Sequence, residues 1–125
     1  MKLTNNFSKA EFDCRDGSEM PDSVLDNVKL IAEQLQILRD FVGVPITVNS
    51  GYRSPTYNTK IKGAKRSQHL LGKAADITIE GMRAIDVYKL VTKLINDGKL
   101  QIGGLGMYSS FTHLDIRTKR ARWAG

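Results

Sequence analysis

From Ser23 onward the apolar residues Val24, Val28, Ile31, Leu35, Leu38 and Val42 recur at steps of three and four, the spacing that gathers one buried face on an α-helix. Pro21-Asp22 marks its start and Gly43 its end. A second stretch, Met82 to Ile95, sets Ile85, Tyr88, Val91, Leu94 and Ile95 at helical spacing and closes on Asn96-Asp97-Gly98. Near the N-terminus, Ser8 and Glu11 have the spacing of a capping box for a short helix around Lys9 to Cys14, with Phe7 and Phe12 able to pin it to the core.

The remaining apolar runs are short. Pro45-Ile46-Thr47-Val48-Asn49 is β-branched and bounded by Pro45 and Ser50-Gly51, so it reads as a strand feeding a turn. Gly72 to Ile79 alternates small or apolar with polar residues and reads as a central strand. Gly103 to Tyr108 and Thr112 to Ile116 read as two more strands, joined by Ser109-Ser110-Phe111. Tyr52 to Arg66 is polar and reads as a long surface segment with one helical turn near Tyr57; loops of that length are usually functional or mobile. The order is helices, strand, loop, strand, helix, two strands, without repeat or linker, which predicts a single α+β domain over residues 1–125.

A chain of 125 residues buries a core without needing disulfides, and the lone Cys14 cannot form an internal one. Polar residues interrupt every candidate apolar region in residues 1–20, and no stretch approaches the roughly 20 apolar residues of a spanning helix. The expectation is synthesis in the cytoplasm without a signal peptide and no insertion into a membrane. The net charge of +6 attracts polyanions: nucleic acid, a membrane surface or a bacterial cell wall. The densest basic run, Arg117-Thr118-Lys119-Arg120-Ala121-Arg122 beside Trp123, reads as a solvated tail after the last strand. It lacks an aromatic-rich strand or recognition-helix pattern, so no nucleic-acid partner is expected.

Only two histidines occur, His69 and His113. His69 lies seven residues before Asp76, a spacing that excludes the one-face helical H-E-x-x-H arrangement. Gly72 between them permits a tight turn, so the chain can return as a strand that delivers Asp76 beside His69, with His113 arriving from a late strand. Two imidazoles and a carboxylate are the three protein ligands of a catalytic zinc whose fourth position is open. The same residues also read as a loop histidine, a turn carboxylate and a hydrogen-bonded strand histidine, and spacing alone leaves both readings open.

The run Ser67-x-His69-x6-Asp76 with the late His113, preceded by Ser50-Gly51-Tyr52-Arg53-Ser54, resembles the zinc D-Ala-D-Ala carboxypeptidases and related peptidoglycan DD-peptidases, a group that includes phage endolysins. The likeness runs from Asn6-Phe7-Ser8 to Ala121-Arg122-Trp123. It implies a hedgehog-like zinc peptidase fold, in which a small antiparallel sheet with flanking helices carries one catalytic Zn2+ on His69, Asp76 and His113. It implies further that Arg53 contacts a carbonyl or carboxylate of the substrate and that Ser67 helps hold the substrate near the metal, roles that suit a guanidinium fork and a hydroxyl. The expected substrate is a peptidoglycan stem peptide, cut at a terminal D-alanine or an internal amide by a monomer acting at the cell wall after release or export.

One position departs from the pattern. Many members of that group carry an acid three residues before the second histidine as general base, and here Ser110 stands there. Asp115 shares a strand face with His113 and is the nearest carboxylate, which makes it either the catalytic base or a partner that orients the histidine. Without such a base the chain reads instead as a catalytically silent zinc-containing module that binds wall peptides. Tyr52, Tyr57 and Tyr108 read as cleft-lining or core-rim residues, the rim being the commoner place for aromatics near glycine-rich turns, and Gly103-Gly104-x-Gly106 reads as a place of close backbone packing beside the metal-bearing strand.

Overall fold

A computed structural model describes residues 1–125. The helices are α1 (Asp22–Val42), α2 (Pro55–Lys60) and α3 (Ala84–Asn96), with short 3-10 helices at Lys9–Phe12 and Gln68–Leu71. The strands are β1 (Ile46–Ser50), β2 (Ala74–Ile79), β3 (Gly104–Met107), β4 (Thr112–Asp115) and β5 (Ala121–Ala124), ordered β1-β2-β4-β3-β5 in one sheet. The α+β expectation and the long apolar helix faces are met. Gly43 ends α1 in the left-handed conformation at φ 69°, its N–H donating to the Arg39 carbonyl. At the first 3-10 helix the Glu11 carboxylate accepts the Ser8 backbone N–H at 2.7 Å. No helix is long and apolar enough to cross a membrane.

The pleat of the sheet separates core from site. Ala75, Leu114 and Leu105 are register partners across β2, β4 and β3, and they face a core that includes Ile31, Leu35 and Leu38 of α1 and Val87, Val91 and Leu94 of α3. Successive strand residues point to opposite faces. The neighbouring row, Ser50, Asp76, His113, Gly106 and Trp123, therefore lies on the other face, spanning all five strands. The hydrophobic packing that seats the sheet on α1 and α3 thus fixes which way Asp76 and His113 point.

Two expectations are corrected. The run after β4 is not a solvated tail: residues 121–124 form β5, which pairs parallel to β3 in an otherwise antiparallel sheet. Arg122 donates to the carbonyls of Gly103 and Ala121, and Arg117 is bound to Asp115, so two of the run's cations are consumed internally. The segment from Tyr52 to Arg66 is not all surface: Tyr52 at its head is buried, as the core-rim reading of that residue has it, with its N–H on the Phe12 carbonyl. Gly106 makes β5 possible at this distance, because a Cβ there would stand 2.5 Å from the Trp123 ring. Gly106→Val is expected to displace that ring at the usual overpacking cost of about 1–3 kcal/mol. A lowered urea midpoint together with a changed Trp123 emission, from the sole tryptophan, checks it.

Candidate metal centre and cleft

Each ligand candidate is delivered by a different local device. Ser67 caps the second 3-10 helix by accepting the His69 N–H at 3.2 Å, and Gly72 ends it at φ 71°. Its missing Cβ also lets Val24 and Val28 of α1 approach closely. His69 is thereby held at the turn that leads into β2, and β2 carries Asp76 directly opposite His113 on β4. His69, Asp76 and His113 are 2, 5 and 8 % exposed, and their ligand atoms lie within 4.8 Å of one another.

The hydrogen bonds behind the rings decide which nitrogens face inward. His69 Nδ1 is 2.7 Å from the Gly51 carbonyl oxygen, which can only accept, so this nitrogen carries a proton and Nε2 is the atom that faces inward. His113 Nε2 is 2.8 Å from Asp115 Oδ2, which leaves Nδ1 as the inward atom. His69 Nε2 and His113 Nδ1 stand 3.1 and 2.9 Å from the same Asp76 Oδ1. Three potential ligand atoms converge, an arrangement that needs a proton or a metal cation between them. Tetrahedral zinc, with bonds of about 2.0–2.2 Å, separates its ligand atoms by roughly 3.3 Å, so the donor set fits this metal.

The surrounding charges agree with that fit. Burial opposes a charge on His113, yet Asp115 and Asp76 outweigh it and raise its pKa above the ordinary imidazole value. Burial also opposes ionisation of Asp76, but the hydrogen bonds from His113 and His69 hold its pKa well below the usual carboxylate range. The pocket is built to attract positive charge, and a metal entering it displaces protons.

Asp115 is 0 % exposed and its carboxylate is fully engaged. Oδ2 accepts from His113 and from Arg117 Nη2 at 2.7 Å, and Oδ1 accepts from Arg117 Nε at 2.8 Å and from its backbone N–H at 3.2 Å. Burial raises its pKa, while His113 and Arg117 lower it further, so it is ionised. Gly104 makes the space, since a Cβ there would lie 2.2 Å from the carboxylate. The close packing expected of the glycine run is thus found at both Gly104 and Gly106. Ser110 is exposed in the β3–β4 turn and lines a different hollow, with Met82 and Ala84.

Above the three residues opens a cleft of about 530 Å³. Arg53 and Ser67 both line it. Arg53 donates to Asp76 Oδ2 at 3.2 Å, to Ser50 Oγ and to Asn58 Oδ1, which leaves two of its five N–H groups free. Tyr108, Phe111 and Trp123 form an aromatic wall, with Tyr108 and Phe111 stacked at 4.5 Å, Trp123 5.0 Å from the His113 ring, and the indole N–H donating to the Tyr108 hydroxyl. Asp76 is the only acid in the lining. Two other hollows, of about 560 and 570 Å³, hold no histidine. Neither spacing nor motif singles out Phe111, Lys62 or Arg66, nor Asn58 behind them, and the position of Tyr108 near a glycine-rich turn favours the core rim over the cleft wall it occupies.

Similar proteins carry names that agree with this centre. A zinc D-Ala-D-Ala carboxypeptidase of Streptomyces albus G is 37 % identical over 78 residues, 58 % of this chain and 31 % of the relative. The peptidoglycan L,D-endopeptidase MepK of Escherichia coli K12 is 33 % identical over 97 residues, 70 % of this chain and 50 % of the relative. The matches thus span half or less of those relatives' own lengths. Residues 5–115 match the Peptidase M15 family, a stretch that includes His69, Asp76, His113 and Asp115. With nearly the whole chain inside that match, the protein belongs to the peptidase M15 family.

Proposed function

We propose that the protein is a zinc metallopeptidase that hydrolyses an amide bond in peptidoglycan stem peptides, with His69, Asp76 and His113 as its metal ligands. The observation that carries the reading is the convergence of three buried donor atoms on the floor of a basic and aromatic cleft. The chemistry zinc supplies when bound is Lewis acidity: activation of water at the open position and polarisation of an amide carbonyl.

The chain's own residues bind, orient and shield. Gly51 and Asp115 fix the ring orientations and tautomers of the two histidines. Arg53 holds Asp76 with one arm and keeps free donors for a substrate carbonyl or carboxylate. The Ser67 hydroxyl accepts from His69 N–H and keeps its own proton to donate to the peptide. The aromatic wall excludes water beside His113 and offers apolar surface to small side chains such as the methyl of alanine.

Of the two roles considered for Asp115, burial and four accepted hydrogen bonds support the orienting one over that of proton acceptor. Asp115→Asn is therefore expected to weaken zinc binding about 10–100-fold, the usual effect of losing an outer partner. Competition with a chelator of known affinity measures it.

A terminal and an internal cut are both compatible with the cleft, and the basic surface suits adsorption to an anionic wall, the setting of an endolysin. A second reading, a zinc-containing wall-peptide binding module without turnover, is supported by the absence of any acid but Asp76 in the cleft. The deciding experiment incubates the protein with purified peptidoglycan, with and without a chelator, and identifies released fragments by mass. Chelator-sensitive release of D-alanine or of new peptide ends supports the peptidase. One zinc per chain with no fragments supports the binding module, and fragments indifferent to the chelator contradict both.

A further inference from the structure

The cleft's two inner cations are each matched by a carboxylate: Arg53 by Asp76 at 3.2 Å and Arg117 by Asp115 at 2.7 Å. Its two outer cations are not. Lys62 and Arg66 line the same cleft from the segment between α2 and the second 3-10 helix, and no carboxylate lies within ion-pair distance of either. They are exposed, and Lys60 and Lys65 on the same seven-residue stretch add further positive charge.

That stretch has a built shape. Asn58 is 4 % exposed, and its side chain donates to the Ala64 carbonyl at 2.9 Å while accepting from Arg53 Nη1 at 3.4 Å. Gly63 leaves room for this amide, because a Cβ there would fall 2.0 Å from Asn58 Oδ1. Between these anchors Lys62 is held at φ 58°, the only left-handed residue in the chain that is not glycine. A lysine in that conformation is disfavoured and persists only when its surroundings impose it, as happens at ligand clamps. The same asparagine ties the backbone that carries the outer cations to Arg53 and so sets where that backbone lies relative to Asp76.

We propose that Lys62 and Arg66 form a second anion subsite, which reads a substrate carboxylate displaced from the scissile bond. The substrate class is then an acidic peptide carrying a free carboxylate in addition to any group that Arg53 engages. This rests on the peptide-binding reading above and narrows it: neutral or amidated peptides of the same length are poor ligands. The mechanism of discrimination is charge complementarity at the exposed rim of the cleft.

Two synthetic peptides ending in D-Ala-D-Ala test it, identical except that a preceding D-glutamyl side chain is free in one and amidated in the other. Titration calorimetry on the zinc-loaded protein is expected to show about tenfold tighter binding of the acidic peptide, the sum of two exposed ion pairs. In Lys62→Gln/Arg66→Gln the ratio between the peptides falls to near one, with zinc content equal to the parent's. In Lys62→Arg/Arg66→Lys the ratio is retained. Equal binding of the two peptides by the parent, or a preference that survives the glutamine pair, overturns the subsite and leaves the peptide-binding reading standing. Binding of neither peptide overturns both.

Discussion

Replacing His69 with alanine is expected to weaken zinc binding by more than the 10–100-fold typical of outer-partner mutants and to abolish release of peptide fragments. Nε2 of this residue is one of three donor atoms within 4.8 Å, and the two that remain, His113 Nδ1 and Asp76 Oδ1, are too few to hold a catalytic zinc against solvent. The loss is local. The 3-10 helix keeps its Ser67 and Gly72 boundaries, and the hydrophobic core cluster of α1, α3 and the sheet contains neither histidine. The variant should retain the parent's far-ultraviolet circular dichroism while losing metal. Zinc retained at one equivalent after dialysis against a mild chelator would sink the ligand assignment, and unchanged fragment release would sink the mechanism.

The next largest effect is expected behind His113, at Arg117. Removing its side chain in Arg117→Ala takes two hydrogen bonds, of 2.8 and 2.7 Å, from a carboxylate that is completely buried. Breaking a buried pair by deleting one partner typically costs about 3–5 kcal/mol, and because the Arg117 side chain is 31 % exposed water can enter, which places the cost at about 3 kcal/mol. The stacking of the guanidinium over Trp123 at 5.1 Å is lost as well. Urea unfolding should show the lower midpoint. Zinc affinity should fall with it, since Asp115 then orients His113 less firmly. Arg117→Lys keeps the charge but not the planar fork and should lie between the two. An unchanged midpoint in Arg117→Ala would mean that Asp115 is not an organising charge of this fold.

The sequence makes some of this architecture plain and conceals the rest, for physical reasons. Helix α1 is legible because its buried positions repeat over 21 residues, long enough for periodicity to dominate. The second 3-10 helix is invisible because one turn of four residues leaves no period to read. Strand β5 reads as a tail because Ala121-Arg122-Trp123-Ala124 carries a cation whose solvation is replaced by the carbonyls of Gly103 and Ala121, partners that only the fold supplies. At the site, the His69, Asp76, His113 set is readable from spacing and motif, since a turn and two strands suffice to join them. Its walls are not. Tyr108 and Trp123 meet through the parallel pairing of β3 with β5, and Asn58 reaches Arg53 only after Gly63 makes room. Asp115 is legible as a neighbour of His113, but the groups that occupy its oxygens come together only in the fold, and that occupancy separates an orienting carboxylate from a base.

The central claim is that these three side chains form one zinc site. Zinc K-edge X-ray absorption on the protein loaded with one equivalent of metal tests it most directly. The account predicts two imidazole nitrogens at about 2.0–2.1 Å and a carboxylate oxygen at about 2.0–2.2 Å, in a four-coordinate shell completed by water. A sulfur at about 2.3 Å, which only Cys14 or a methionine could supply, or a shell with fewer than two imidazoles, would contradict it.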